Sequence, residues 1–267
     1  MKKKKIRTLN LHDESVHIIE EYGVGDFDSQ AKLKEDDKDN SVVLKEKKYI
    51  PEVKHKLRTR MVMVPEDIYK CSGIKILGKR IKSLLFTTDV SVISNSNANA
   101  VMAVYPFTPQ LSITRAIMDC SSVPVFAGVG GGLTTGERSE QIALQAELMG
   151  AHGVVVNAPM SPTMISRLAS ILDIPVVATV ISKGDNYKEK IEAGAQILNV
   201  SGGDETAEIV KMIREEIGDE FPIIATGGPN DKSIRETIDA GANAITYTPP
   251  TSAEIFADIM EDYRGNN

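Results

Sequence analysis

The chain has 267 residues, of which 42% are hydrophobic and 25% are charged; this usage is ordinary for globular proteins and excludes a wholly disordered chain. The net charge of −6 argues against nucleic acid as a partner, because nucleic-acid-binding proteins carry a basic surface. No apolar run reaches the roughly 18 residues of a membrane-spanning helix, so no membrane partner is predicted. Two cysteines and a basic N-terminus with no apolar run behind it lead us to expect a cytoplasmic protein.

Residues 1–60 are much richer in charge than the remainder of the chain. Segments such as 32–40 mix both signs with almost no apolar anchor, which is typical of a solvated loop. We therefore predict a charged N-terminal extension over 1–60 and a separate folded domain over 61–267. A solvated appendage is the favoured interpretation of the extension, and an oligomer arm or a lid is the alternative. A homo-oligomer is expected.

The folded domain contains two interleaved repeats. In the first, a proline precedes an apolar run that ends in small residues, as in Val123–Gly128, Ile174–Thr179 and Phe221–Thr226. In the second, Gly-Ala precedes an apolar run, as in Gly150–Val156, Gly194–Val200 and Gly241–Tyr247. Short runs rich in Val and Ile that are apolar on both faces are typical of strands buried in a parallel sheet.

Counting these runs predicts strands at 84–88, 100–105, 123–128, 153–157, 174–180, 196–200, 221–226 and 243–247. Stretches with apolar residues at helical spacing lie between them, as at 139–149, 206–217 and 232–240. Alternating strands and helices with a two-strand repeat predict an α/β fold, a closed (β/α)8 (TIM) barrel. An open doubly wound sheet is the alternative.

In such a barrel, ligands bind at the carboxyl ends of the strands. Glycines after a strand and before a helix let backbone N–H groups approach an anion that the helix dipole also favours. We therefore predict an anion site at the loops after the seventh and eighth strands, with a contribution from the sixth. Its residues are Gly227, Gly228, Thr248, Ser201, Gly202 and Gly203. The alternative is that these glycines only make tight turns.

The loop after the third strand is unusually rich in glycine and includes Gly130, Gly131 and Gly132. Because each glycine loses backbone entropy on folding, such a loop favours a ligand loop or a lid over a stabilising role. Arg138 could pair with an anionic substrate group and Glu137 could act as an acid or base. Equally, both could be first-turn helix residues that face water.

Few titratable groups follow the strands. Asp89 is the first candidate for a general base or metal ligand, with an N-cap as its rival role. Lys183 could form a Schiff base or hold a phosphate, or simply face water. Tyr105 could donate a proton or be a rim aromatic. Asn157 and Asn199 end buried strands, where an amide needs a partner, which favours a position facing ligand.

The stretch Ala225-Thr226-Gly227-Gly228 before a helix resembles phosphate-binding barrels of the ribulose-phosphate-binding type, which include keto-deoxy-phosphogluconate aldolase and thiamin-phosphate synthase. The chain departs from them in having no lysine on a predicted strand and in carrying Thr248-Pro249-Pro250 after the eighth. The segments 86–89, 103–109 and 128–132 are also similar to an uncharacterised bacterial barrel family sometimes labelled hydrolase.

Three functions are compatible with these patterns. The favoured one is an enzyme acting on a small phosphorylated or carboxylated metabolite by lyase, isomerase or synthase chemistry, with Asp89 as base. The second is a metabolite-sensing regulator that has kept the barrel without catalysis. The third is a metal-assisted hydrolase using Asp89 and Asn157. We predict no bound cofactor and no defined metal site, although a divalent metal would suit the third function.

Overall fold

A computed structural model of the chain describes residues 7–9, 42–44, 51, 53 and 60–265. The chain divides into two compact units, 1–59 and 60–267. In the first unit, strand β1 (Arg7–Leu9) pairs antiparallel with β2 (Val42–Leu44). The predicted solvated loop at 32–40 lies outside the described residues, and the proposed roles of the extension stay predictions.

The second unit begins with a short 3-10 helix and a hairpin. The helix spans Glu66–Lys70 and directly follows Pro65. The hairpin consists of β3 (Ile74–Ile76) and β4 (Lys79–Ile81), which pair antiparallel.

Eight parallel strands then form a closed barrel, in which the last strand pairs with the first. The strands are β5 (Ser83–Phe86), β6 (Ala100–Ala103), β7 (Val125–Gly130), β8 (Gly153–Val156), β9 (Val176–Val180), β10 (Ile197–Val200), β11 (Ile223–Thr226) and β12 (Ala244–Tyr247). The predicted (β/α)8 barrel is confirmed, and the open sheet is excluded.

Three of these strands begin two residues later than predicted, because the proline of the repeat lies just outside the ladder. The carbonyl oxygens of Pro124, Pro175 and Pro222 nevertheless accept hydrogen bonds from the neighbouring strands, at 2.8, 3.0 and 3.1 Å. A proline at this position loses no ladder donor, which explains why the repeat tolerates it.

A helix follows each barrel strand. The helices are α1 (Val90–Ile93), α2 (Leu111–Cys120), α3 (Glu137–Leu148), α4 (Pro162–Ile171), α5 (Tyr187–Glu192), α6 (Thr206–Ile217), α7 (Asp231–Asp239) and α8 (Ser252–Gly265). The predicted helix at 206–217 matches α6 residue for residue.

The apolar core has two layers, because side chains alternate across each strand. One layer lies between the strands and the helices and includes Leu198 and Val200 of β10. The other fills the barrel and includes Ile197 of the same strand. Three isoleucines of the hairpin, Ile74, Ile76 and Ile81, belong to this inner layer and form the floor of the barrel at the amino ends of the strands.

Arg214 of α6 is buried beside the amino ends of β11 and β12. Its guanidinium donates hydrogen bonds to the carbonyl oxygens of Gly241, Gly218 and Phe221 at 2.9, 3.0 and 2.7 Å, and to Oδ1 of Asn243 at 2.6 Å. The planar fork of arginine can serve several acceptors at once. This cluster fixes the end of the barrel opposite the strand ends at which ligands are expected.

Candidate functional site at the carboxyl ends of the strands

Half of the barrel mouth presents polar side chains. On β9 to β12, the inner apolar residues Val177, Ile197, Ile224 and Ala244 are each followed two positions later by a polar residue. Because the side-chain period of a strand is two, these residues also face into the barrel. Together with Ser201, which lies two positions beyond Asn199, they are called the polar half of the mouth: Thr179, Asn199, Ser201, Thr226 and Thr246.

The polar half becomes more accessible from its depth to its rim. Thr179, Asn199 and Thr246 are 8%, 7% and 6% exposed, whereas Thr226 is half-buried and Ser201 is exposed. At the rim, the Thr226 hydroxyl lies 3.1 Å from Oγ of Ser201. In the depth, Nδ2 of Asn199 donates to Oγ1 of Thr179 at 3.4 Å, while Oδ1 of Asn199 has no hydrogen-bond partner.

The other half of the mouth holds a cavity of about 180 Å³ at the ends of β6, β7 and β8. Two of the predicted site residues, Tyr105 and Asn157, line it, as do Gly130 and Gly132 of the glycine-rich loop. The Tyr105 hydroxyl accepts a hydrogen bond from the backbone N–H of Gln110 at 2.8 Å, so its own proton is free to be donated to a ligand.

The glycine-rich loop is closely packed against its neighbours. A Cβ at Gly130 would lie 2.4 Å from the carbonyl oxygen of Thr134, and one at Gly131 would lie 2.5 Å from the backbone nitrogen of Asn157. Both residues have positive φ, at 126° and 118°, a region that favours glycine. The backbone conformation and the close packing therefore require glycine at these two positions, whereas a Cβ at Gly132 would meet open space. A lid role for this loop stays a prediction.

Glu137 and Arg138 are exposed residues in the first turn of α3. Neither side chain makes a hydrogen bond or ion pair with another described residue, so the placement matches the water-facing alternative of the sequence analysis. The Arg138 guanidinium lies close in sequence to the loop that borders the cavity and could still meet an anion that enters from solvent.

Asp89 caps helices with both of its carboxylate oxygens. Oδ1 accepts hydrogen bonds from Ser91 and Val92 of α1, and Oδ2 accepts them from Ser252 of α8. Burial raises the pKa of the Asp89 carboxyl, but the hydrogen bonds from Ser252 and Ser91 outweigh it and hold the pKa well below its ordinary value. A carboxylate in this state is a weak base.

Lys183 is exposed and lies between two carboxylates of the following segment. Its Nζ contacts Glu208 at 2.5 Å and Glu205 at 3.1 Å. The hydrogen bonds from Lys183 to Glu208 and Glu205 raise the pKa of this lysine. A Schiff base requires a neutral amine, so the arrangement favours a charged lysine instead.

The glycines of the predicted anion site bring helices close to the strand ends. A Cβ at Gly227 would lie 2.9 Å from Cγ1 of Ile234 in α7, and one at Gly202 would lie 2.3 Å from Cδ1 of Ile209 in α6. Gly228, at φ +77°, lies against Ser233 of α7. Packing therefore explains these glycines without a ligand. Gly203, which begins a short 3-10 helix, and Thr248 are both exposed, and the anion site stays a prediction.

Sequence analysis missed two members of the polar half, Thr179 and Thr246, because each lies inside a run that is otherwise apolar. Counting two positions on from an inward-facing residue would have found both. It also missed Lys190 of α5, which is buried and whose Nζ donates to the carbonyl oxygens of Thr179 and Ala158 at 2.7 and 3.1 Å. Burial lowers the pKa of Lys190. This lysine holds the end of β9 in place.

Within the described residues, no group of three or more His, Cys, Asp or Glu side chains could hold a metal ion. The donors of the mouth are hydroxyl and amide groups, and the Asp89 carboxylate is engaged by helix N–H groups. This donor set does not fit a carboxylate-bound divalent cation, which prefers several charged oxygen ligands. The same described residues include no helix long and apolar enough to cross a membrane.

No protein-family model matches the chain, and no curated sequence gives a significant match. Solved structures are similar to it in fold. Phosphonopyruvate hydrolase in complex with oxalate and Mg²⁺ is 14% identical, with a TM-score of 0.51 over 68% of this chain and 83% of that one. Phosphoenolpyruvate phosphomutase from Streptomyces platensis subsp. rosaceus is 12% identical, with a TM-score of 0.53 over 74% and 83%.

A third similar structure is 2,3-dimethylmalate lyase, described as a PEP mutase/isocitrate lyase superfamily member, at 13% identity and a TM-score of 0.54 over 75% of this chain and 84% of that one. At these identities the likeness shows the fold. It agrees with the resemblance to phosphate-binding (β/α)8 barrels at that level.

Proposed function

We propose that the chain is an enzyme that acts on a small phosphorylated or carboxylated metabolite at the mouth of the barrel, by lyase or isomerase chemistry. The observation that carries the proposal is the polar half of the mouth. Its uncharged donors lie at the carboxyl ends of the strands, as does the cavity that the glycine-rich loop borders, and this is the end of the barrel where (β/α)8 enzymes bind substrates. Enzymes that act on such metabolites are among the proteins of similar fold.

The rim of the polar half would hold the anionic group. The Ser201 and Thr226 hydroxyls lie 3.1 Å apart at the ends of neighbouring strands and can both turn a proton towards one anion. The loop after β11 leads through Gly228 into the capped N-terminus of α7, whose dipole favours negative charge. Asp231 in the first turn of that helix opposes the anion in part, so the site would rely on its neutral donors.

Tyr105 and Asn157 are the candidates for contact with the reacting part of the substrate, because both line the cavity. A tyrosine hydroxyl and an amide N–H can stabilise the oxygen that gains charge in an enolate-like transition state. Asp89 and Lys183 would instead position the loops that carry them, since each is engaged by neighbouring groups. No step is assigned to a metal ion.

A metabolite-sensing regulator is the second candidate. The observation that favours it is that the two charged residues expected to do chemistry, Asp89 and Lys183, are both occupied by structural contacts. Turnover separates the two functions. If small phosphorylated or carboxylated compounds bind to the chain and none of them is converted, the result would favour the regulator.

The proposal can be tested by thermal unfolding with inorganic phosphate, sulfate and small carboxylates. A ligand at 100 times its dissociation constant adds roughly 2.7 kcal/mol to stability, and we expect the midpoint to rise with at least one of these anions. The double variant Ser201→Ala, Thr226→Val should lose the rise. Thr237→Val, which removes a buried hydroxyl of α7 away from the mouth, should keep it. The absence of any anion-dependent rise would contradict the proposal.

A further inference from the structure

We infer that Asn199 makes the site selective for ligands that carry a hydroxyl group in addition to the anionic group. The inference rests on the proposed function and narrows its substrate class to hydroxylated phosphates or hydroxy acids. The observation behind it is the unpartnered Oδ1 of an asparagine that is only 7% exposed. Buried polar atoms are nearly always hydrogen-bonded, and an exception calls for a ligand or another specific explanation.

The register of the sheet explains why the protein itself does not satisfy this oxygen. Asn199 stands opposite Thr179 on β9 and Ile224 on β11. The Thr179 hydroxyl accepts a hydrogen bond from Nδ2 of the amide at 3.4 Å, and the side chain of the isoleucine on the other side has no hydrogen-bond donor. The oxygen therefore has an apolar neighbour on one flank and no hydrogen-bond donor among the described residues.

The chemistry of the missing partner follows from the atom. Oδ1 is an acceptor, so its partner must donate a proton. The oxygens of a fully ionised phosphate or carboxylate only accept and cannot serve. A hydroxyl group on the same ligand can donate a hydrogen bond to Oδ1 while the anionic group accepts hydrogen bonds from other donors.

Asn199 is buried and Ser201 is exposed, and this difference in depth predicts how the ligand is oriented. Ser201 lies two residues beyond Asn199 on the same face, at an exposed position, and its hydroxyl contacts that of Thr226. A ligand with its hydroxyl at Asn199 and its anion at Ser201 would therefore enter hydroxyl first. The anionic group would stay near the rim, where it keeps part of its hydration.

A matched pair of probes isolates the hydroxyl. Glycerol 3-phosphate and n-propyl phosphate have the same anionic group and chain length, and only the first carries hydroxyls on the chain. Titration calorimetry should show glycerol 3-phosphate binding about tenfold more tightly, the effect of one well-made buried hydrogen bond. In Asn199→Leu, which has a similar branched shape and no polar atoms, the two affinities should become equal. In Thr237→Val the tenfold preference should persist.

Thermal unfolding gives a second, independent readout. Because Asn199→Leu removes an unpartnered buried oxygen, the ligand-free variant should unfold at a temperature about 2–4 °C higher than the parent chain. An asparagine with a merely structural role would show the opposite shift. If the leucine variant does not fold, Asn199→Thr, which keeps a strand-compatible polar side chain too short to reach the same position, should also abolish the preference.

The outcomes separate this inference from the proposed function. Equal binding of the two probes by the parent chain would overturn the inference and leave the anion site standing. An equal loss of both affinities in Asn199→Leu would also overturn it, because the amide would then serve the anion itself. If inorganic phosphate and both probes fail to bind, and lactate and propionate fail as well, both the inference and the proposed function are wrong.

Discussion

Asp89 and Ser252 join the first and last helices of the barrel. Oδ2 of Asp89 accepts hydrogen bonds from both the backbone N–H of Ser252, at 3.1 Å, and its hydroxyl. Oδ1 of the same carboxylate accepts from Ser91 and Val92 at the start of α1, at 2.9 and 3.2 Å. Since β12 pairs with β5, this contact fastens the helices on both sides of the strand pair that closes the barrel.

Replacing this carboxylate should weaken the barrel closure. We expect Asp89→Asn to lower the free energy of unfolding by about 1–2 kcal/mol, because the amide has one acceptor oxygen for two helix ends. Urea unfolding followed by circular dichroism measures the change. Asp119→Asn, which alters an exposed aspartate paired with Arg115, is the control and should stay within about 0.5 kcal/mol of the parent. Similar stabilities for both variants would contradict the capping role.

The contribution of Asp89 should also depend on pH. Its pKa in the folded chain is below the ordinary value of about 4, so the folded state favours the charged form. The stabilisation is then fully present above that ordinary pKa and is lost as the pH falls through the lower, folded value. The stability difference between the parent and Asp89→Asn should be constant from about pH 7 to 5 and shrink below about pH 4. A difference that grew on acidification would be incompatible with this sign.

Arg214 should be one of the most sensitive positions for stability. It is buried and serves three carbonyl oxygens and the Asn243 side chain. Lysine cannot reproduce that fork, so Arg214→Lys would leave buried acceptors unpaired, each at a cost of about 1–3 kcal/mol. We expect a loss of at least about 2 kcal/mol in urea unfolding. The same change at the exposed Arg115 is the matched control, and equal effects at the two positions would argue against the cluster.

The two kinds of glycine at the mouth should respond differently to alanine. A Cβ at Gly227 would press on Ile245 and Ile234, at 2.6 and 2.9 Å, whereas nothing lies within 4 Å of one at Gly132. We expect Gly227→Ala to lower the unfolding temperature by several degrees and Gly132→Ala to leave it nearly unchanged. If Gly227→Ala is tolerated but anion binding is lost, close ligand approach rather than packing explains the glycine.

The fold could be predicted because its signal is local and repeated. A leading proline or Gly-Ala marks six of the strands, and the apolar runs at 84–88 and 100–105 bring the number to the eight that close a barrel. Three predicted strand starts are two residues early, since Pro124, Pro175 and Pro222 take part in hydrogen bonding as acceptors without belonging to the strands.

Members of the candidate site could be proposed from the sequence only where they end a run, as Asn157, Asn199 and Ser201 do. Thr179 and Thr246 are polar members of apolar runs, and only the inward-facing register reveals them. The N-cap role of Asp89 towards α1 was the rival prediction, whereas its hydrogen bonds with α8 could not be foreseen, because Ser252 lies 163 residues further along the chain. A lone carboxylate after a strand suggests a general base. Helix α8, whose Ser252 donates hydrogen bonds to this carboxylate, is brought next to it only when the barrel closes.

The hairpin isoleucines Ile74, Ile76 and Ile81 form the floor of the barrel and determine from which end a ligand can enter. Among the described residues, they fill the amino end of the barrel, so a ligand would enter and leave at the carboxyl ends of the strands. For the enzyme proposed above, a bound product would exclude the next substrate, and product inhibition would be competitive.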